Sequence, residues 1–291
     1  MQWHTDWGLR ARMVLTMVLL LVLYLVFAGA LVLYLGGGLL LMGLFIGGFS
    51  IVQYFFSDRL TLWSMGAREV TEDEYPHLHG TVGRLAQGAD LPKPDIAVVD
   101  SRVPNAFATG RSKNHAAVCV TTGLMDTLDD DELEGVIAHE LAHVKNRDVM
   151  VMTIASFLSS IAFLIVRWGW LFGGDDNRQN VPVIVAIIAS LVVWIISYLL
   201  IRALSRYREY AADRGAAVIT GRPSALASAL LKISGRMDNV PKRDMRDSSE
   251  MNAFFIIPIK SDLIGRLFST HPSTENRVER LRDMEREMET V

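Results

Sequence analysis

The stretch HELAH, residues 139 to 143, contains residue types that can activate water. On a helix, His139 and His143 are about 40° apart in projection, so both imidazoles can reach one metal ion. Glu140 is rotated by about 100° from His139, which puts it beside such a metal, where it can take a proton from water. Zinc is the usual ion in this arrangement and lowers the pKa of its water to about 7. The stretch therefore predicts a hydrolytic zinc site, and its alternative is a helix with two surface histidines.

A third ligand would distinguish these two interpretations. The extended pattern HExxHxxGxxH is excluded, because Asn146 and Val149 occupy the required glycine and histidine positions. The stretch SRYREYAAD, residues 205 to 213, offers Glu209 as a glutamate from a later helix. Asp213 shares its helical face and could orient a ligand histidine. The alternative for this stretch is an ordinary solvated, charged helix.

The segments around HELAH predict a mixture of helices and short strands. A helix is expected over Thr71 to Gly88, because TEDE resembles a capping box and Leu78, Val82 and Leu85 share one face. Three β-rich runs follow and suggest a small antiparallel sheet, at residues 95–100, 105–109 and 116–122. The helix carrying HELAH is expected to start near Glu132 after an acidic N-cap, and it contains no proline that would stop it from continuing beyond Asp148.

The C-terminal third of the chain predicts further helices. They are expected over residues 202–218 and from Pro223 to Leu231, followed by a loop-rich segment over 235–260. Ser273 is a plausible N-cap for a last helix with apolar residues at helical spacing, namely Val278, Leu281, Met284 and Met288.

Long apolar runs predict membrane spans. The chain is 51% hydrophobic, which is too apolar for an ordinary soluble domain of 291 residues. Four runs have about the length needed to cross a bilayer, at residues 13–35, 38–56, 149–166 and 181–201. A cleaved signal peptide is the alternative for the first run, but a second apolar run follows it almost at once. We therefore expect four spans in two hairpins.

Charged residues and cysteine content indicate the compartment. Most basic residues near the runs lie on the side that carries HELAH, which predicts a cytoplasmic location for that side and for both termini. A single cysteine, Cys119, excludes an intrachain disulfide. The net charge of −3 points to no particular partner. The sequence has no basic stripe, RNA-binding signature or phosphate-binding Gly-rich loop, so we do not expect nucleic-acid binding.

Several motifs together resemble a known family, the HtpX-like membrane zinc metallopeptidases, which are related to the CAAX prenyl proteases. The resemblance covers nearly the whole chain, with the four-span layout and the stretches PNAFATG (104–110), AHELAHVKNRD (138–148), SRYREYAAD (205–213) and THPSTENRVERL (270–281). It implies a mainly α integral membrane protein with four transmembrane helices and a zincin-like α+β catalytic domain that contains a small β-sheet. On this basis we expect an N-terminal anchor (1–56), two parts of a catalytic domain (57–148 and 202–291) and a transmembrane hairpin between them (149–201).

The resemblance also implies roles for individual residues. His139, His143 and Glu209 would be the ligands of one Zn²⁺ per chain, Glu140 the catalytic base and Asp213 a residue that supports a ligand. The edge strand that binds substrate would be formed by Asn105, Ala106, Phe107 and Ala108. Asn105 could also donate to the oxyanion, and His271 of the HP motif could stabilise the same oxyanion or simply form a turn before Pro272.

The expected activity is hydrolysis of peptide bonds in unfolded or misfolded membrane proteins. The family implies quality control and stress response at the plasma membrane of a prokaryote, with the catalytic domain cytoplasmic. A CAAX-type prenyl-protein protease is one alternative, although relatives of that type have more spans. An intramembrane protease is a second, but charged residues flank HELAH on both sides. A non-catalytic scaffold is a third, and it should have lost the base or a ligand.

Overall fold

The structure is a computed structural model that describes residues 7–35, 48, 62–63, 65–148, 150–152, 180–237 and 272–290. These residues form two compact units, one from residues within 56–149 and 206–291 and the other from residues within 7–55 and 150–205. The elements in chain order are α1 (Trp7–Leu35), β1 (Arg68–Glu69), α2 (Pro76–Gly88), β2 (Asp95–Val99), β3 (Ala106–Ser112), β4 (His115–Thr121), α3 (Thr122–Met125), α4 (Asp130–Asn146), α5 (Asn180–Thr220), α6 (Pro223–Met237) and α7 (Thr274–Glu289).

The four strands form a mixed sheet in the order β1-β2-β4-β3. Strands β1 and β2 are antiparallel, β2 and β4 are parallel, and β3 and β4 are antiparallel. The prediction of a purely antiparallel sheet is therefore wrong. After β2, the chain crosses to the edge of the sheet and forms β3. A hairpin then returns it as β4, which lies between β3 and β2 and runs parallel to β2. Gly110 allows β3 to pair closely with β4. Its φ is 136°, and a Cβ there would lie 2.1 Å from the His115 carbonyl oxygen.

One face of the sheet packs against the helices of the first unit. Its core contains buried aliphatic residues from the sheet and from six helices, including Val82, Val118, Ile137, Leu230 and Leu281. Helix α4 crosses this core and contacts β3 and α6. Helix α4 lies so close to α6 that a Cβ at Gly135 would lie 2.9 Å from the Leu226 nitrogen. The core thus fixes α4, which carries HELAH, against the edge strand.

Several predicted helix boundaries differ from the observed ones. Helix α2 starts at Pro76 and not at Thr71, because proline lacks the N–H that an earlier start would use. TEDE instead forms a turn in which the Thr71 N–H donates to Glu74. Helix α4 ends at Asn146 with Arg147 in the left-handed conformation, so it does not continue unbroken beyond Asp148. The predicted helices over 202–218 and 223–231 lie within α5 and α6, which extend further, and Ser273 caps α7 as predicted.

The second unit contains α1 and the first part of α5. Leu20, Tyr24 and Phe27 of α1 form an apolar cluster with Val193 and Leu204 of α5. Among the described residues, one helical stretch is long and apolar enough to cross a membrane, Ile187–Thr220, and α1 contains a shorter apolar stretch, Ala11–Phe27. The predicted second and third spans lie almost entirely outside the described residues, as do most of the predicted loop over 235–260 and His271.

Candidate metal centre

Helix α4 brings two imidazoles together. Its start is defined by a capping box, in which the Glu132 N–H donates to Asp129 at 3.0 Å and the Asp129 N–H donates to the Glu132 carboxylate at 3.1 Å. Three acidic residues in the first turn also interact favourably with the helix dipole. From this fixed start, the spacing of four residues places the Nε2 atoms of His139 and His143 3.1 Å apart.

Glu209 of α5 completes a group of three ligand atoms, as the sequence predicts. Its Oε2 lies 3.5 Å from His139 Nε2, and its Oε1 lies 3.5 Å from His143 Nε2. The three candidate ligand atoms all lie within 4.8 Å of one another. His139 and Glu209 are buried, and His143 is largely buried.

These separations fit a small tetrahedral metal ion. Ligand atoms about 2.0 to 2.2 Å from a tetrahedral zinc lie about 3.3 to 3.6 Å from each other. The observed separations of 3.1 and 3.5 Å are close to that range. Two histidines and one carboxylate are also a ligand set of catalytic zinc sites. The donor set therefore fits zinc in chemistry and in spacing.

Asp213 supports His139, as its position in the sequence suggested. Its Oδ1 lies 3.0 Å from His139 Nδ1, so a proton on Nδ1 leaves the Nε2 lone pair directed toward Glu209 and His143. Both residues are almost completely buried. A histidine ligand with its other nitrogen bound to a carboxylate is a common arrangement in metal sites.

Arg277 of α7 is a central residue that the sequence analysis missed. Its guanidinium donates to both oxygens of Asp213, at 2.9 and 2.6 Å, and its Nη1 lies 3.4 Å from Glu209 Oε2. It is 1% exposed, so its charge depends on these carboxylates. A signal was present: Arg277 precedes Leu281 by one helical turn and therefore lies on the apolar face of α7, where a charge needs a partner.

Asp148 is the second residue that the sequence analysis missed. Its Oδ2 lies 2.6 Å from His143 Nδ1 and 3.2 Å from Arg208 Nε. The spacing of five residues from His143 does not place both on one face of a helix, so helical periodicity could not reveal this pair. Each candidate histidine ligand thus has a buried aspartate on its Nδ1.

Glu140 lies between the histidines and the sheet edge. Its Oε2 accepts a hydrogen bond from the Ala108 N–H of β3 at 2.8 Å. Burial raises the pKa of Glu140, and the nearby His139 and His143 offset part of that rise. A carboxyl group with a raised pKa beside a metal site is suited to accepting and releasing a proton.

The protonation of His139 reflects the carboxylates around it. Burial by itself lowers the pKa of His139, but hydrogen bonding to Asp213 and Glu209 outweighs burial and raises the pKa to about 9. In the protein without metal, these carboxylates therefore favour a positive charge at the position of the ring. The same electrostatics favour a bound cation.

The four residues predicted to bind substrate lie at and just before β3. Ala106 and Ala108 face the helical core, whereas Phe107 packs on the opposite face of the sheet with Ala97, Val99 and Cys119. Asn105 is buried, and its main chain bonds to Thr121 of β4. The structure therefore brings Ala108 to the site and directs the Phe107 side chain away from it.

Comparisons with known proteins agree with this geometry. The family model described as Peptidase family M48 matches residues 72–285. "Protease HtpX homolog 2" of Methanosarcina mazei is 56% identical over 291 residues, which is 99% of each chain, and "Protease HtpX homolog" of Moorella thermoacetica is 54% identical over 300 residues, which is 99% of this chain and 98% of the relative. The crystal structure of S. mikatae Ste24p shares the fold, with a TM-score of 0.50 and 18% identity over 91% of this chain and 67% of that one.

The family match covers well over half of the chain, and the relatives match along almost its whole length. His139, His143 and Glu209 form a group that could hold a metal ion, as expected of a metalloprotease. We conclude that this chain is an HtpX-like metalloprotease that belongs to peptidase family M48.

Proposed function

We propose that the protein is a membrane zinc endopeptidase that hydrolyses peptide bonds of misfolded or membrane proteins at the cytoplasmic face of the cell membrane. The observation that carries the proposal is the convergence of His139, His143 and Glu209 within 4.8 Å, with Glu140 beside them on the edge of the sheet. A non-catalytic scaffold would not need to retain all four residues in this geometry.

In this proposal, His139, His143 and Glu209 hold one Zn²⁺ per chain. Zinc, when bound, supplies a Lewis acid that polarises a carbonyl group and makes water acidic near neutral pH. Asp213 holds the His139 ring through Nδ1, and Arg277 in turn holds Asp213 and lies close to Glu209. The ligand side chains are therefore fixed by buried neighbours, as an active metal site requires.

Glu140 is the proposed general base. The Ala108 N–H fixes Oε2, so we assign the transfer of the proton to Oε1. There Glu140 would take a proton from the attacking water and deliver it to the leaving amine. His271 remains a predicted stabiliser of the oxyanion, and Asn105 a second predicted donor.

Strand β3 is the proposed docking site for the substrate. Within the part of the chain that the structure describes, it pairs with β4 along one side, and its other side is a sheet edge to which an extended peptide can add as a strand. Such pairing uses main-chain atoms and demands an extended peptide, which unfolded segments provide. Ala106 and Ala108 are small enough to let a peptide come close to α4.

The membrane part of the proposal rests on apolar surface. Large aliphatic residues of both helices of the second unit are exposed, among them Leu21, Leu25 and Val26 of α1 and Ile188 and Leu199 of α5. A surface of this kind is unfavourable in water and favourable in lipid. With the apolar runs of the sequence, it supports four spans at about 13–35, 38–56, 149–166 and 181–201, separating catalytic parts 57–148 and 202–291. The cytoplasmic location and the quality-control role follow from the basic residues and from the family.

Cleavage of unfolded casein by the full-length, detergent-purified protein tests the proposal. The matched variant is Glu140→Gln, which keeps the shape of the side chain and removes the base. We expect wild type and variant to bind equal zinc, and the variant to cleave at least about 100-fold more slowly. A chelator should stop wild-type cleavage. Equal cleavage by both proteins would disprove the role of Glu140, and a lack of bound zinc would disprove the metal assignment.

A further inference from the structure

We propose that Asp148 is a positioning residue that holds His143 in the orientation required for metal binding and links this ligand to the helix that carries the third one. The inference rests on the proposed zinc function and adds a residue that sequence analysis did not identify. Its basis is the short contact between Asp148 Oδ2 and His143 Nδ1, at 2.6 Å. With a proton on Nδ1, His143 Nε2 presents its lone pair to His139 and Glu209.

The end of α4 is shaped so that Asp148 can reach back to His143. The helix ends at Asn146, and Arg147 adopts left-handed angles, with φ 56° and ψ 41°. Residues other than glycine and asparagine rarely occupy this region, because their Cβ crowds the backbone. The turn at Arg147 redirects the chain after the last helical residue. Asp148 can therefore contact a residue that helical periodicity would have placed on another face.

Arg208 connects the same aspartate to α5. Its Nε lies 3.2 Å from Asp148 Oδ2, the oxygen that also meets His143, and this contact is an ion pair without the geometry of a hydrogen bond. Arg208 is the residue immediately before Glu209, the proposed third ligand. The pair Asp148 and Arg208 therefore ties the C-terminal end of α4 to the part of α5 that supplies Glu209. Through these contacts Asp148 restrains two of the three ligands.

Asp148 is less completely satisfied than a buried carboxylate with a purely structural role. The side chain is 1% exposed. Among the residues that the structure describes, no donor reaches its second oxygen, Oδ1. A buried polar atom without a partner costs free energy of folding, and this cost offsets part of what the contacts of Asp148 with His143 and Arg208 contribute. We therefore expect Asp148 to contribute less to stability than a buried carboxylate whose oxygens all have donors.

Glu132 at the other end of α4 is the matched control. It is also buried, with 3% exposure, but both of its oxygens have donors. Ser228 donates to Oε1 at 2.6 Å, and Lys232 and the Asp129 N–H donate to Oε2 at 2.6 and 3.1 Å. Glu132→Gln should therefore lower stability, whereas the zinc affinity of the folded protein should not change.

The experiment compares wild type, Asp148→Asn and Glu132→Gln as full-length proteins in detergent. Zinc affinity is measured by competition with a chromophoric chelator, and thermal stability is measured on the metal-free proteins. We expect Asp148→Asn to lose about 10- to 100-fold in zinc affinity, the usual effect of losing a partner of a ligand histidine. We expect its metal-free melting temperature to fall by less than that of Glu132→Gln. Glu132→Gln should show the larger loss of stability together with wild-type zinc affinity.

Each other outcome has a definite meaning. Unchanged zinc affinity in Asp148→Asn would overturn the proposal and leave the zinc function intact. A metal-free Asp148→Asn protein that melts well below Glu132→Gln or does not fold would overturn it in favour of a structural role. Wild-type protein that binds no zinc would overturn both the proposed function and this inference, and the chelator assay detects that failure without any cleavage measurement.

Discussion

The two ends of helix α4 differ in how completely their buried carboxylates are paired with donors and cations. At the N-terminal end, Glu132 is surrounded by donors, and the capping box with Asp129 satisfies the first N–H groups of the helix. At the C-terminal end, four carboxylates lie close to the two histidines, namely those of Glu140, Asp148, Glu209 and Asp213.

The cations at the C-terminal end balance only part of that charge. Arg277 lies beside Asp213 and Glu209, and Arg208 lies beside Asp148. Among the described residues, two guanidinium groups therefore face four carboxylates. A doubly charged metal ion would offset the difference. One end of α4 is thus arranged for helix stability, while the other keeps a negative excess that favours a cation.

Removal of Arg277 should have the largest effect on this contrast. In Arg277→Met, Asp213 and Glu209 lose their buried cation, so we expect the metal-free protein to lose about 3–5 kcal/mol of stability. Added zinc should restore part of the loss. Arg286→Met on the same helix is the control, because Arg286 is exposed and pairs with the surface residue Asp283. Equal melting temperatures for the two metal-free variants would contradict a central role for Arg277.

The pH dependence of stability should differ between the metal-free and the zinc-bound protein. The folded-state pKa of His139 is raised from 6.5 to about 9, so its protonation stabilises the metal-free fold fully below pH 6.5. That contribution is lost as pH rises from about 6.5 to about 9, and it is on the order of 3 kcal/mol. The raised pKa of Glu140 acts in the same direction from lower pH.

We therefore expect the melting temperature of the metal-free protein to fall over that pH window. Zinc affinity should rise over the same window, because protons and zinc compete for His139. Glu209→Gln removes one of the carboxylates that raise the pKa of His139 and should shift the transition to lower pH. A metal-free melting temperature that rises between pH 6.5 and pH 9 would show that another group dominates.

A substitution at the N-terminal end of α4 should have a smaller effect on stability and no effect on zinc affinity. Asp129→Ala removes the cap of α4 and should cost about 1 kcal/mol of stability. Zinc affinity should stay at the wild-type value, since Asp129 lies at the far end of the helix from His143. Isothermal denaturation and the chelator competition measure the two effects. A loss of zinc affinity in this variant would show that the two ends are not independent.

Local sequence patterns predicted the parts of the site that lie on regular helices. His139, Glu140 and His143 follow from one helical spacing, and Glu209 with Asp213 from a second. The cap at Asp129 and the cap at Ser273 were also readable, because capping depends on residues close in sequence. Helix and strand content followed from the same kind of signal, whereas the start of α2 did not, because Pro76 starts the helix and TEDE forms a turn before it.

Contacts between distant segments could not be predicted in this way. The parallel pairing of β2 with β4 depends on where the hairpin returns, which no local pattern encodes. Arg277 reaches Asp213 across 64 residues, and the Ala108 N–H reaches Glu140 across 32. The contact of Asp148 with His143 depends on the conformation of a single residue, Arg147.

The sequence by itself therefore determined the chemistry of this protein: two histidines and two glutamates at helical spacings, long apolar runs, and the motifs of an M48 peptidase. The tertiary structure alone decided which buried charges hold those residues in place. The reason is physical, since helical spacing is set by backbone geometry within a few residues, whereas a buried charge takes whichever partner the packing of remote elements brings within a few ångströms.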